Sequence, residues 1–178
     1  MNELSNANKI WQGFHWSFFI NIQALIISLN RFEKFLILED ISKAKVELKS
    51  ATKFLLASGA AMELAGSFSQ GEYEDEVRPT MTPPQVMSHD FSGLMSWDHG
   101  ALIQVWKRLA PVFKTLPIEL KSEYDEFVNA YRKLATSHKA VCKKFGGDQT
   151  GSLRFDNSNA LDTLDKFRNS RLKLIRNS

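Results

Sequence analysis

The chain is poor in the residues that build stapled or metal-clustered folds. Its 178 residues hold a single cysteine, Cys142, which excludes an internal disulfide framework and any cysteine-rich zinc cluster. A reducing, cytoplasmic setting is the matching expectation. Only five prolines and nine glycines are present, too few for a collagenous or low-complexity chain and favourable to long helices. No apolar run reaches the roughly 20 residues a spanning helix needs; the longest, Phe14 to Leu29, is broken by His15, Asn21 and Gln23. The start, MNELSNANK, lacks the cationic opening of a secretory leader, so no membrane role is expected. A net charge of +3 is too small to argue for nucleic acid.

What is present is aromatic and helical. Thirteen Phe, four Trp and three Tyr accompany 43% hydrophobic and 24% charged residues, the composition of one globular domain spanning 1–178. The pattern reads as an all-α bundle of four to five helices. The first runs from about Asn8 to Leu36 and, being apolar around most of its girth, is expected at the centre of the bundle. Asp40 caps the second, Ile41 to Phe68, whose Val46, Leu48, Leu55, Leu56, Met62 and Leu64 fall at helical spacings. An irregular stretch, Ser69 to Met95, follows; a loop that long in a small domain is more often functional than idle. Ser96 caps a third helix that Pro111 is expected to close, Pro117 opens a fourth that stops at Gly146-Gly147, and a last helix follows Asn157 or Asn159.

Charge is unevenly spread. From Arg132 onward there are eleven Lys or Arg against four Asp, a basic third that suits phosphates, carboxylates or simply solvent. Two of the four histidines sit on apolar helical faces: His15 beside Trp11, Phe18, Phe19 and Ile22, and His138 among Tyr131, Leu134, Val141, Cys142 and Phe145. A buried imidazole needs partners, and bundles house cofactors between facing helices. No histidine has a Glu three residues before it, which argues against a di-iron carboxylate site. The carboxylates lie mostly on polar faces, so zinc is weakly supported, and the C-x-x-C-H attachment of c-type haem is absent. Non-covalent haem b remains compatible, needing one axial His, an apolar slot and cations for its propionates. His89 and His99, flanking a Ser-Gly turn, read as surface residues, and Cys142 as a buried, inert thiol.

The order of segments resembles the tryptophan 2,3-dioxygenase superfamily of haem-dependent aromatic oxygenases. The residues that carry it are Trp11 four before His15 on a long aromatic helix, then Tyr73 and Arg78, then Phe91-Ser92-Gly93-Leu94-Met95-Ser96. Later come Tyr131-Arg132, His138, Val141, Phe145-Gly146 and Gln149-Thr150-Gly151-Ser152. The Tyr-to-Arg spacing is one residue longer than in the family pattern, and the chain is shorter than typical members.

The resemblance implies that His138 ligates the iron and His15 lies on the open distal side as the catalytic residue. It implies that Ser92 contacts the haem and that Trp11, Tyr73, Arg78 and Thr150 receive the substrate, Arg78 gripping a carboxylate. A small aromatic or indole-type substrate, O₂ or peroxide as oxidant, and a homo-oligomer follow as expectations. Two other readings stay open: a cofactor-free helical interaction module, and an electron carrier with both His15 and His138 on the iron.

Overall fold

The computed structural model describes residues 5–86, 96–145 and 160–175, and all its regular elements are helical. Ser92 and Thr150, with the turns they belong to, His89 and the Gly146-Gly147 stop lie outside the described residues.

Helix α1 (Asn6–Ile37) starts where the Ser5 side chain accepts the Asn8 N–H at 3.3 Å. It turns back at once into α2 (Ile41–Ala65) through Glu39, whose φ of 55° lies in the left-handed region. Asp40 then accepts the Lys43 N–H at 3.0 Å and caps α2 as its sequence suggests. The two helices pack along their lengths, and both α4 (Trp97–Lys114) and α5 (Lys121–Lys144) close on this pair. Helix α6 (Ala160–Ile175) rests on α4 and α5.

Leu25, Leu29 and Phe32 of α1, Leu48 and Leu55 of α2, Leu109 and Phe113 of α4, Phe127 of α5 and Ile175 of α6 are all sealed from solvent. Phe113 meets the rings of Phe32, Tyr124 and Phe127 at centroid distances of 6.2, 5.5 and 6.0 Å. Each such ring contributes about 1.5–3 kcal/mol by leaving water. Polar pins set the helix register at the rim: Arg31 to Glu47 at 2.8 Å, Lys45 to Glu123 at 3.1 Å and Arg108 to Glu33 at 2.8 Å.

Several expectations are corrected. Helix α1 is not buried all round: Trp16, Ile20 and Ile27 form an exposed strip opposite its packed face. On α2, Val46, Leu56 and Leu64 face outward. The packed stripe there mixes Leu48, Leu55 and Met62 with the small residues Ala44, Ala51, Ser58 and Ala65, and the small positions let the neighbouring helices come close. A Cβ on Gly59 would already stand 3.5 Å from the Leu134 backbone. Pro111 does not end α4, which continues one turn to Lys114. The proline forfeits one backbone bond, and the buried Phe113 ring holds the turn that follows.

The irregular stretch after α2 is partly helical. A capping box at Ser69 and Glu72 starts the short α3 (Gln70–Glu72), a π-helical turn covers Tyr73–Val77, and a 3₁₀ turn covers Arg78–Met81. In the π turn the Arg78 N–H donates to the Tyr73 carbonyl five residues back. Among the described residues no helix is long and apolar enough to cross a membrane.

Candidate functional site

Four helices each carry one nitrogenous side chain whose charge is felt at His138: His15 on α1, His99 on α4, Arg171 on α6 and His138 itself on α5. Burial first, then nearby His99, His15 and Arg171, together push the His138 imidazole down to about 4. It is therefore neutral at physiological pH, the form in which an imidazole offers a lone pair to a metal.

His99 is held by the start of its helix. Ser96 accepts the His99 N–H at 3.3 Å, and the Gln23 side chain of α1 donates to Asp98 at 3.2 Å, tying that first turn to α1. The His99 ring stacks on Phe18 with centroids 6.0 Å apart, and its Nδ1 is buried with no hydrogen-bond partner among the described residues. Burial, with Arg171 adding to it, brings its pKa down to about 4. The surface reading of His99 is thus overturned. The signal was present in the sequence: His99, Leu102, Trp106, Leu109 and Phe113 recur every three or four residues, one inward stripe of α4.

His15 is half-buried against Trp11, ring centroids 3.9 Å apart. Its Nδ1 lies 2.8 Å from the Trp11 carbonyl, an acceptor only, so Nδ1 carries the proton and Nε2 keeps its lone pair. Burial lowers its pKa, and the bond to Trp11 partly restores it. Trp11 also joins an aromatic floor: it approaches Phe68 at 6.4 Å and Tyr73 at 6.1 Å, while Tyr73 and Phe68 stack on Phe145 at 4.3 and 5.3 Å. Tyr73 is buried, which raises its hydroxyl pKa, and Arg78 and Cys142 are among the groups that act on it. Trp11, His15, Tyr73 and Arg78 are therefore neighbours.

One turn after His138, Cys142 shares its helix face; burial pushes its thiol up to about 11, so it stays protonated. Two turns before His138 on α5, Tyr131 is raised to about 12 by burial and meets the buried Trp106 ring edge-on at 5.1 Å. The indole N–H of Trp106 has no partner among the described residues. An open groove along α4 (Ser96, Trp97, Gly100, Ala101, Gln104) contains none of the histidines.

The donor set fits a haem better than a bare ion. Among the described residues no three His, Cys, Asp or Glu side chains converge closely enough to hold a metal ion together. Neutral imidazoles from facing helices, an orphaned nitrogen on one of them, aromatic walls and a cation at the edge are what a porphyrin requires.

The family model for the SfmD 3-methyl-L-tyrosine peroxygenases matches residues 2–123. A 3-methyl-L-tyrosine peroxygenase of Streptomyces lavendulae is 27% identical over 139 residues, which cover 76% of this chain and 38% of that protein. The chain thus spans little more than a third of the length of this relative. No solved structure matches it.

Proposed function

We propose, from the premise that the chain belongs to the SfmD 3-methyl-L-tyrosine peroxygenase family, that it is a haem-dependent oxygenase acting on a tyrosine-like amino acid. What supports this reading is the family match over residues 2–123, together with three imidazoles on three helices that burial keeps neutral, one of them with a buried nitrogen that has no partner among the described residues.

In this reading His138 holds the iron and His99 stands as the second imidazole for it. When bound, haem supplies the iron at which peroxide is activated for oxygen transfer. The chain's own residues do the rest. His15, its tautomer fixed by the Trp11 carbonyl, presents Nε2 as a proton acceptor for a phenol or peroxide hydroxyl. Trp11 and Tyr73 wall the aromatic ring of the substrate, and Arg78 offers a forked grip for a carboxylate. Ser92 and Thr150 keep the haem-side and substrate-side roles that the resemblance implies.

Haem b held by coordination is the working form, since C-x-x-C-H is absent. The position of Cys142 favours one alternative, a single sulfur bond to the porphyrin edge.

Haem titration of the purified chain should produce a Soret band. His138→Ala should abolish it, His99→Ala should shift it, and His15→Ala should retain it while losing peroxide-driven oxidation of L-tyrosine or 3-methyl-L-tyrosine. A wild-type chain that stays colourless in excess haem overturns the reading.

A further inference from the structure

Helix α1 holds no Asp, Glu, Lys or Arg from Ile10 to Asn30, although one side of that stretch faces water. On that side Trp16, Ile20 and Ile27 are 70, 60 and 56% exposed. The apolar strip does not end with α1. Gln23, three residues after Ile20 and four before Ile27, donates to Asp98 at 3.2 Å and so sets the first turn of α4 beside it. Trp97, immediately before Asp98, is 95% exposed, the most exposed large apolar side chain among the described residues. It borders an open groove whose other lining residues, Ser96, Gly100, Ala101 and Gln104, carry no charge either. Charges at the margins are answered within the molecule: Arg108 by Glu33 and Arg31 by Glu47, both at 2.8 Å.

The two indoles and two isoleucines together expose about 500 Å² of apolar surface, toward the upper end of what a monomer leaves open. Chemistry narrows what can cover it. A strongly charged partner finds no counter-charge on this face. A helix lying on a lipid surface edges its apolar face with lysine and arginine, and residues 10–30 have neither. A second copy of the same face has no such need. A two-fold contact lays a patch on itself, so a charge within it would meet its own sign, and a neutral patch escapes that repulsion. Two such faces together cover about 1,000 Å² from these four side chains alone, the size at which specific interfaces begin. Shape agrees. Trp97 projects beside a hollow at Gly100, where an added Cβ meets nothing within 4 Å. A knob next to a hollow on one patch is self-complementary across a two-fold axis.

We propose that the face formed by Trp16, Ile20 and Ile27 of α1 with Trp97 of α4 is a homodimer interface, seated on the same face of a second copy of this chain. The proposal uses none of the residues of the haem reading and does not rest on it.

Light scattering during gel filtration and sedimentation velocity over a dilution series test it on the full chain. Wild type should be a dimer at micromolar concentration. Trp97→Ala removes the knob and Gly100→Met fills the hollow. Each should weaken the dimer about thirtyfold to a thousandfold, the loss expected at a central aromatic anchor. The Gly100 variant also guards against misfolding, since methionine is the better helix former and has open space there.

Ile20→Glu and Ile20→Lys should each be monomeric, and an equimolar mixture of the two should recover a dimer, because opposed strips then carry opposite charges. Ile118→Lys, an exposed apolar position outside the face, should leave the dimer intact. Far-UV dichroism confirms that the variants are folded. A wild type that stays monomeric throughout the series, including one that floats with neutral phosphatidylcholine vesicles instead, overturns the proposal. So does a dimer that none of the variants on the face weakens.

Discussion

Gly66, the C-terminal cap of α2, sits where α2 meets the last turn of α5, and its replacement by alanine has a calculable outcome. A Cβ there would stand 2.9 Å from Val141 Cγ1, 3.3 Å from Cγ2 and 3.4 Å from Phe145 Cε2. The first distance is well inside ordinary contact. Val141 is only 9% exposed, and Phe145 is locked in its stack with Tyr73 and Phe68. Neither can yield freely, so overpacking should cost about 1–3 kcal/mol. The Gly66 φ of −99° suits any residue, so no backbone strain is added. Stiffening of the unfolded chain returns roughly 0.4–1 kcal/mol.

Val141→Ala alone removes two buried methyl groups, about 1.6 kcal/mol of transfer energy plus a cavity contribution. In the double variant the new Cβ occupies the space that Val141 vacates. Its loss should fall short of the sum of the single losses by at least about 1 kcal/mol, beyond the 0.3–0.5 kcal/mol scatter of independent sites. Urea unfolding followed by far-UV dichroism measures all four proteins. A double variant that is simply additive, or a Gly66→Ala that stabilises the protein, would refute the close approach of α2 to α5. Because Val141 lies between His138 and Phe145, the same cycle read by haem affinity should show the same recovery.

Three further outcomes are expected. Removing Asp40 tests a pH window: its carboxyl is held at about 2 by Lys43 and Ser42, below the unfolded value of 3.8. The cap is therefore fully stabilising above pH 4, and the stability gap between wild type and Asp40→Ala should close as pH falls from 4 to 2; a constant gap would contradict the capping role. Phe113→Ala, which empties the centre of a four-ring cluster, should cost about 3–5 kcal/mol in urea midpoint analysis, and a loss under 1 kcal/mol would mean the ring is not core. Acid acetone should strip the pigment if coordination alone holds it. Pigment retained by wild type but released from Cys142→Ser would instead establish a bond to that sulfur.

Helix starts were readable from the sequence because they are local chemistry. Asp40 and Ser96 each accept the N–H three residues on, and that preference needs no tertiary partner. The inward face of α2 was half legible: Leu48, Leu55 and Met62 are buried as their spacing suggests, while Val46, Leu56 and Leu64 face outward. What apolar spacing did not show is that Ala44, Ala51 and Ala65 share the packed face with the leucines. His15 and His138 declared themselves through their apolar surroundings. His99 was misjudged because it was weighed as a helix-start residue beside a turn, although its stripe with Leu102 and Trp106 was there to see. Arg171 looked like one more charge on a basic helix; its half-buried place is a property of α6 docked on α4 and α5.

That docking has a consequence for how the molecule comes into being. The α1–α2 hairpin needs little beyond its own contacts, and α4 and α5 can settle on it while synthesis is still under way. The residues of α6 leave the ribosome after those of the four long helices before them, yet they pack on α4 and α5, the helices that carry His99 and His138. A nascent chain ending before residue 160 would leave the face of α4 and α5 that α6 covers open to water. The fold thereby couples maturation of that face to the emergence of α6.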